Sequence, residues 1–181
     1  TDSTAANFSA TDASTQWKLD DAKSLPDGDF TIEAVIHLRS LYPNANVRTI
    51  VSHWSGSTTQ RGWNFGVTST KSGYQPRNLI LQLVGSPPGQ AGTGKPTYEV
   101  IASDLRPELN RPYYVAVSVN VAETSEAGIT FYLQDLSQPD AQLQMAAVPH
   151  KVTGHFRPDL SLVLGDRDGR RSRWDGLLDN I

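Results

Sequence analysis

FTIEAVIHL, residues 30–38, alternates its side chains along a β-branched run. Ile32, Ala34, Ile36 and Leu38 point one way, while Thr31, Glu33, Val35 and His37 point the other. That period of two is the mark of a strand with one face on a core. Working outward, the same pattern predicts strands at Thr15 to Asp20, Asp29 to Leu38, Val47 to His53, Gly62 to Thr68, Asn78 to Val84 and Thr97 to Ala102. It continues at Pro112 to Val121, Gly128 to Gln134, Gln142 to Val148, Leu160 to Gly165 and Trp174 to Ile181. Turn formers separate nearly all of them, among them Pro26-Asp27-Gly28, Tyr42-Pro43-Asn44, Ser55-Gly56-Ser57 and the Pro/Gly run from Ser86 to Pro96.

Core faces follow from the alternation: Trp63, Phe65 and Val67; Leu79, Leu81 and Leu83; Val115, Val117, Val119 and Val121; Ile129, Phe131 and Leu133; Leu160, Leu162 and Leu164. Such a set fills the space between two antiparallel sheets about 10 Å apart. No stretch carries apolar residues at helical spacing over three turns, and a short helical turn around Ser103 to Leu109 is the most the sequence allows. The predicted fold is an all-β, two-sheet antiparallel jelly-roll sandwich. Residues 1–181 read as one domain with no internal repeat and no linker.

Composition narrows the function classes. Lys+Arg 16 against Asp+Glu 19 gives a formal charge of -3, which argues against nucleic-acid phosphate or anionic lipid as the main partner. Cys 0 removes disulfides and thiolate metal sites. No run approaches the roughly 20 apolar residues that would span a bilayer, so membrane insertion is not expected. The start lacks a Met and the end, LLDNI, is strand-like, from which we expect a fragment of a longer protein whose neighbouring domains are partners.

The order of segments resembles the laminin-G-like, concanavalin A-like jelly-roll family, in the version found in large bacterial secreted and surface proteins. FTIEAVIHL at 30–38, TIVSHWSGSTTQRGWNFGV at 49–67, RPYYVAVSV at 111–119, ITFYLQD at 129–135 and LSLVLGDRDGRRSRWDGLLDNI at 160–181 carry the resemblance. The family's Trp-x-His before the central strand is replaced by Pro112-Tyr113-Tyr114, and its Asp-Gly after the Leu-Tyr-Val strand by Gln134-Asp135-Leu136. The resemblance implies a module that binds carbohydrate or another extracellular macromolecule, at an extracellular, cell-surface or periplasmic location. It also implies a final strand beside the N-terminal one, and calcium near Asp179 of Gly176-Leu177-Leu178-Asp179. A purely architectural or protein-interaction domain of a larger surface enzyme or cytochrome-like protein is a second expectation, and a degenerate glycoside hydrolase a third.

Catalytic chemistry finds little support. Gly89 to Pro96, GQAGTGKP, matches the glycine and lysine spacing of a phosphate loop, but Pro96 replaces the metal-ligating hydroxyl and TYEVIA continues as a strand. Glu33 stands alone in its strand, and Glu123 and Glu126 lie in a polar turn, whereas glycoside hydrolysis needs two facing carboxylates. His37, His53, His150 and His155 have no metal-ligand spacing, and no catalytic residues are assigned.

Binding candidates come from the loop GDRDGRRSRW, residues 165–174, and from the tryptophans. Asp166 and Asp168 offer oxygen ligands to calcium, joined by Asp179 from the resemblance, while Arg171 and Arg173 offer paired hydrogen bonds to sugar oxygens. Trp54 beside the Ser55-Gly56-Ser57 turn and Trp174 at the end of the arginine loop are expected at a rim, where an indole stacks on a sugar ring. Trp63 is expected in the core and Trp17 packed on a strand.

Overall fold

The computed structural model describes residues 4–20, 25, 28–90, 95–154, 160–168 and 172–181. Twelve strands are present among them: β1 Ala6–Phe8, β2 Trp17–Leu19, β3 Phe30–Leu38, β4 Arg48–His53, β5 Gly62–Val67 and β6 Leu79–Gly85. They continue as β7 Thr97–Ala102, β8 Pro112–Val119, β9 Ile129–Asp135, β10 Gln144–Val148, β11 Leu162–Leu164 and β12 Gly176–Asp179. Two six-stranded sheets form, sheet A in the order β1-β12-β3-β8-β9-β10 and sheet B in the order β2-β11-β4-β5-β6-β7. Every strand pairing is antiparallel, so the fold is an all-β sandwich.

The alternation of FTIEAVIHL places Ala34, Ile36 and Leu38 in the core at 1% exposure each, against Val115, Val117 and Val119 of the paired strand β8. Trp63, Phe65 and Val67 of β5 and Leu79, Leu81 and Leu83 of β6 supply the opposing layer from sheet B. The layers meet directly at Phe65 and Phe131, whose ring centroids lie 6.4 Å apart. Each such side chain removed from water contributes about 2 kcal/mol, so the inter-sheet layer is the main source of stability.

Local chemistry explains where the sequence reading and the structure part. β1 lies in the polar lead, three residues long, and pairs with β12 through Ala6↔Leu178 and Phe8↔Gly176. The final strand thus sits beside the N-terminal one. No helical turn forms between Ser103 and Leu109. There Asp104 takes a left-handed backbone with φ 62, the Ser103 amide donates to Leu79 O, and Asn78 Oδ1 accepts from the Asp104 amide. The strand expected from Thr15 to Asp20 is shortened to β2, because Thr15 ends a 3-10 turn at Ala13–Thr15 that Asp12 caps.

Candidate functional site

Alternation predicts a solvated outer face on each sheet, and sheet B departs from it. All positions of β4, β5 and β6 are buried, those facing away from the core included. Buried amides and hydroxyls must find partners, because each one left unpaired costs about 1–3 kcal/mol. On the outer face of sheet B they pair with one another. Thr49 Oγ1 donates to Asn64 Oδ1 at 2.9 Å, Asn64 Nδ2 donates to Gln82 Oε1 at 2.8 Å, and Gln82 Nε2 donates to the Tyr98 hydroxyl at 2.6 Å. The row crosses β4, β5, β6 and β7. Register accounts for it: Asn64 lies directly opposite Gln82, while Thr49 is diagonal to Asn64 and Tyr98 is diagonal to Gln82.

An aromatic wall stands at the Tyr98 end. Trp54 leaves β4 and crosses over Gly62, whose φ is 151 and where an added Cβ would meet the Trp54 Cβ at 2.9 Å. The indole N–H donates to Ser57 O at 2.8 Å, and its ring stacks on Tyr98 at 5.7 Å with an interplanar angle of 21°. The Arg167 guanidinium lies over the same indole, 5.0 Å from the ring centroid. Tyr98 is 38% exposed, so the row that begins at the fully buried Thr49 ends in solvent. Burial pushes the Tyr98 phenol above its usual value. It therefore keeps its proton at neutral pH and, having accepted from Gln82, has that proton to donate.

The loop that carries Arg167 is fixed to sheet B by both backbone and side chains. Gly165 N donates to Ile50 O at 2.9 Å, Thr49 N to Ser172 O at 2.9 Å and Trp174 N to Gly165 O at 2.7 Å. Arg48, 2% exposed, donates to Ser40 O at 3.0 Å, Ser40 Oγ at 3.0 Å and Arg173 O at 2.8 Å, with its guanidinium 3.7 Å from the Tyr42 ring centroid. Ser40 in turn donates to Asp175.

The sequence-predicted residues occupy places the pattern alone did not foretell. Trp54 and Trp174 are 3% and 0% exposed, so neither is the open rim indole expected of it. Trp174 belongs to the core cluster, and Trp54 forms the inner layer of the wall behind Tyr98. Trp63 is in the core as expected, whereas Trp17, expected to pack on a strand, is 58% exposed, with its ring centroid 6.1 Å from that of Phe8. Arg173 is turned inward, its Nε 3.5 Å from Asp166 Oδ2. Arg171 and His155 lie outside the described residues, as does part of the Gly89 to Pro96 tract.

The three aspartates expected to hold calcium are otherwise engaged. Asp166 Oδ1 accepts from the amides of Arg167 at 2.7 Å and Ser172 at 2.8 Å, and burial raises its carboxyl above the usual range despite those donors. Asp168 pairs with Lys18 at 3.7 Å, and Asp179 Oδ1 accepts from the Asn180 amide at 2.9 Å. Among the described residues no three acidic or histidine side chains converge on a common point. Asn64 and Gln82, which sequence reasoning passed over, carry a readable signal: each is a lone amide flanked by core residues, in Trp63-Asn64-Phe65 and Leu81-Gln82-Leu83.

No protein-family model matches the chain, and no curated protein matches it in sequence. Solved structures do match it. The CBM40 of the Ruminococcus gnavus IT-sialidase superposes with a TM-score of 0.55 at 12% identity, covering 99% of this chain and 87% of that one. The chain shares its fold with a carbohydrate-binding module. The same CBM40 bound to α2,3-sialyllactose gives a TM-score of 0.52 at 11% identity, over 99% of this chain and 85% of the other. The enzymatically active domain of tailspike protein 2 from bacteriophage CBA120 gives 0.51 at 15% identity, over 84% of this chain. This chain spans 21% of the tailspike's length. At such identities the likeness concerns the sandwich and carries no residue across.

Proposed function

We propose that the chain is a non-catalytic carbohydrate-binding module of a secreted or surface protein, with its glycan site at the Tyr98 end of the outer face of sheet B. The row from Thr49 through Asn64 and Gln82 to Tyr98 is the observation that carries this reading. A sugar presents hydroxyls beside an apolar ring face, and here a donor hydroxyl, a spare amide N–H on Gln82 and a stacked Tyr98–Trp54 pair stand together. Arg167 adds a cation beside the same indole. The shared fold with CBM40 supports the reading and makes α2,3-sialyllactose a natural first ligand. Glu33, which stands alone in its strand, lies exposed on sheet A and accepts from the Tyr114 hydroxyl at 3.0 Å.

An architectural role is the second reading, favoured by the low exposure of Trp54, Asn64 and Thr49. A row that satisfies itself stabilises a sheet whether or not a ligand arrives. A glycan and polysaccharide array that includes α2,3-sialyllactose, run once with calcium and once with chelator, separates the two. The expected result is saturable binding that ignores the chelator and weakens by about tenfold or more in Tyr98→Ala. Binding lost on chelation would return calcium and Asp168 to the site. No binding in either condition would remove the glycan reading and leave the architectural one.

A further inference from the structure

The sandwich has four edge strands, β1 and β10 of sheet A and β2 and β7 of sheet B. An edge offers unpaired N–H and C=O groups to any other strand, and folded proteins blunt such edges with shortness, charge, proline or bulges. Three of the four are blunted. β1 is three residues long. β2 is equally short and carries Lys18, which pairs with Asp20 at 3.3 Å and Asp168 at 3.7 Å. β7 bears Glu99 on its core-facing side, opposite Leu83, and its carboxylate accepts from the Lys151 amide at 2.6 Å.

β10 differs. It runs five residues, Gln144–Val148, in unbroken register with β9 and without a bulge. From Ala141 to Val148 the chain has neither a charge nor a proline. Met145 is 61% exposed and the preceding Leu143 45%, both large apolar side chains left in water beside an open edge. Among the described residues no hydrogen bond reaches the backbone of β10 from any element other than β9.

We infer that β10 is an interface with a second copy of this chain, the two β10 strands pairing antiparallel so that their A sheets join into one. Self-pairing suits this sequence because antiparallel identical strands oppose residues of the same face, and here no like charges meet. With the two-fold at Ala146, Met145 of each copy lies opposite Ala147 of the other. A two-fold perpendicular to a continuous sheet leaves both B sheets on the same side of the assembly. The Tyr98 ends of both copies then face one way, and on a surface dense in glycan such a pair gains avidity with no new contact. The pairing itself does not depend on the glycan reading.

The test is the mass of the whole chain in solution by sedimentation equilibrium, from micromolar to near-millimolar protein. The expected mass is twice the 19.8 kDa of one chain at the upper end. Two double variants, Met145→Lys with Ala147→Lys and Met145→Glu with Ala147→Glu, are each expected to weaken association by about tenfold or more while melting like the parent. Mixing the lysine and glutamate variants is expected to restore the dimer, because opposite charges then face across the pair. A parent that stays monomeric throughout, a dimer indifferent to both variants, or a mixture that fails to reassociate would each overturn the inference.

Discussion

The outer faces of the two sheets are built from the same alternation and end in opposite conditions. On sheet A, Thr31 and Glu33 are exposed, Thr31 Oγ1 meets Ser118 Oγ at 3.1 Å in solvent, and the Tyr114 hydroxyl donates to Glu33. On sheet B, Thr49 and Asn64 are 0% exposed and Gln82 is 6% exposed, so their hydrogen bonds lie out of water, and the Thr49 amide donates to Ser172 O. Polar contacts in water exchange one set of partners for another and contribute little, whereas the same contacts out of water are costly to break. Polar outward positions in a sandwich are therefore not interchangeable. Those of sheet A keep a surface wet, and those of sheet B hold a floor in place.

The largest effect is expected where the cover is fastened. Arg48→Ala removes the donor to Ser40 O and Arg173 O and leaves both carbonyls partly buried, so denaturant unfolding should show a loss of about 3 kcal/mol. A loss under about 1 kcal/mol would mean the loop is held by its backbone bonds alone. Next comes a matched pair of changes. Asn64→Leu strands the Thr49 hydroxyl and the Gln82 carbonyl and is expected to cost about 2 kcal/mol, while Tyr114→Phe on sheet A should stay within about 0.5 kcal/mol. Equal costs would erase the distinction between the faces.

Smaller still is the response to pH. Burial raises the Asp166 carboxyl in the folded chain above its unfolded value, so the folded state carries a penalty at neutral pH that protonation relieves. As pH falls from neutral through the folded value, the parent should gain stability relative to Asp166→Asn, which keeps the acceptor without the charge. Parallel pH profiles for the two proteins would show that the Arg167 and Ser172 amides and Arg173 fully offset the burial.

How far the sequence could be read depends on where each residue's partners lie. FTIEAVIHL, Trp63-Asn64-Phe65 and Leu81-Gln82-Leu83 reveal their core faces because the period of two is written within a single strand. The fate of Asn64 and Gln82 was hidden, since polarity in a strand ordinarily marks solvent and the segments that cover them come from elsewhere in the chain. Trp54 meets Tyr98 and Arg167, and Trp174 bonds through its amide to Gly165, contacts that leave no trace in local spacing. Asp166 and Asp168 share the Asp-x-Asp-Gly spacing that opens a calcium loop, while their partners in the fold, the Arg167 and Ser172 amides and Lys18, are not legible from that spacing. β1 was missed because three residues are too short to show alternation, and Phe8, 1% exposed, was its one signal.

Side-chain amide NMR asks whether the proposed glycan is met by the outer face of sheet B. The strongest ligand from the array would be titrated into labelled protein while the side-chain NH₂ signals of Asn64 and Gln82, the Trp54 indole N–H and the Gln134 side-chain amide on sheet A are followed. Saturable shifts are expected at Gln82 and Trp54, smaller ones at Asn64, and none at Gln134. Shifts at Gln134 with Gln82 and Trp54 unmoved would place the ligand on sheet A and rule out a site on sheet B.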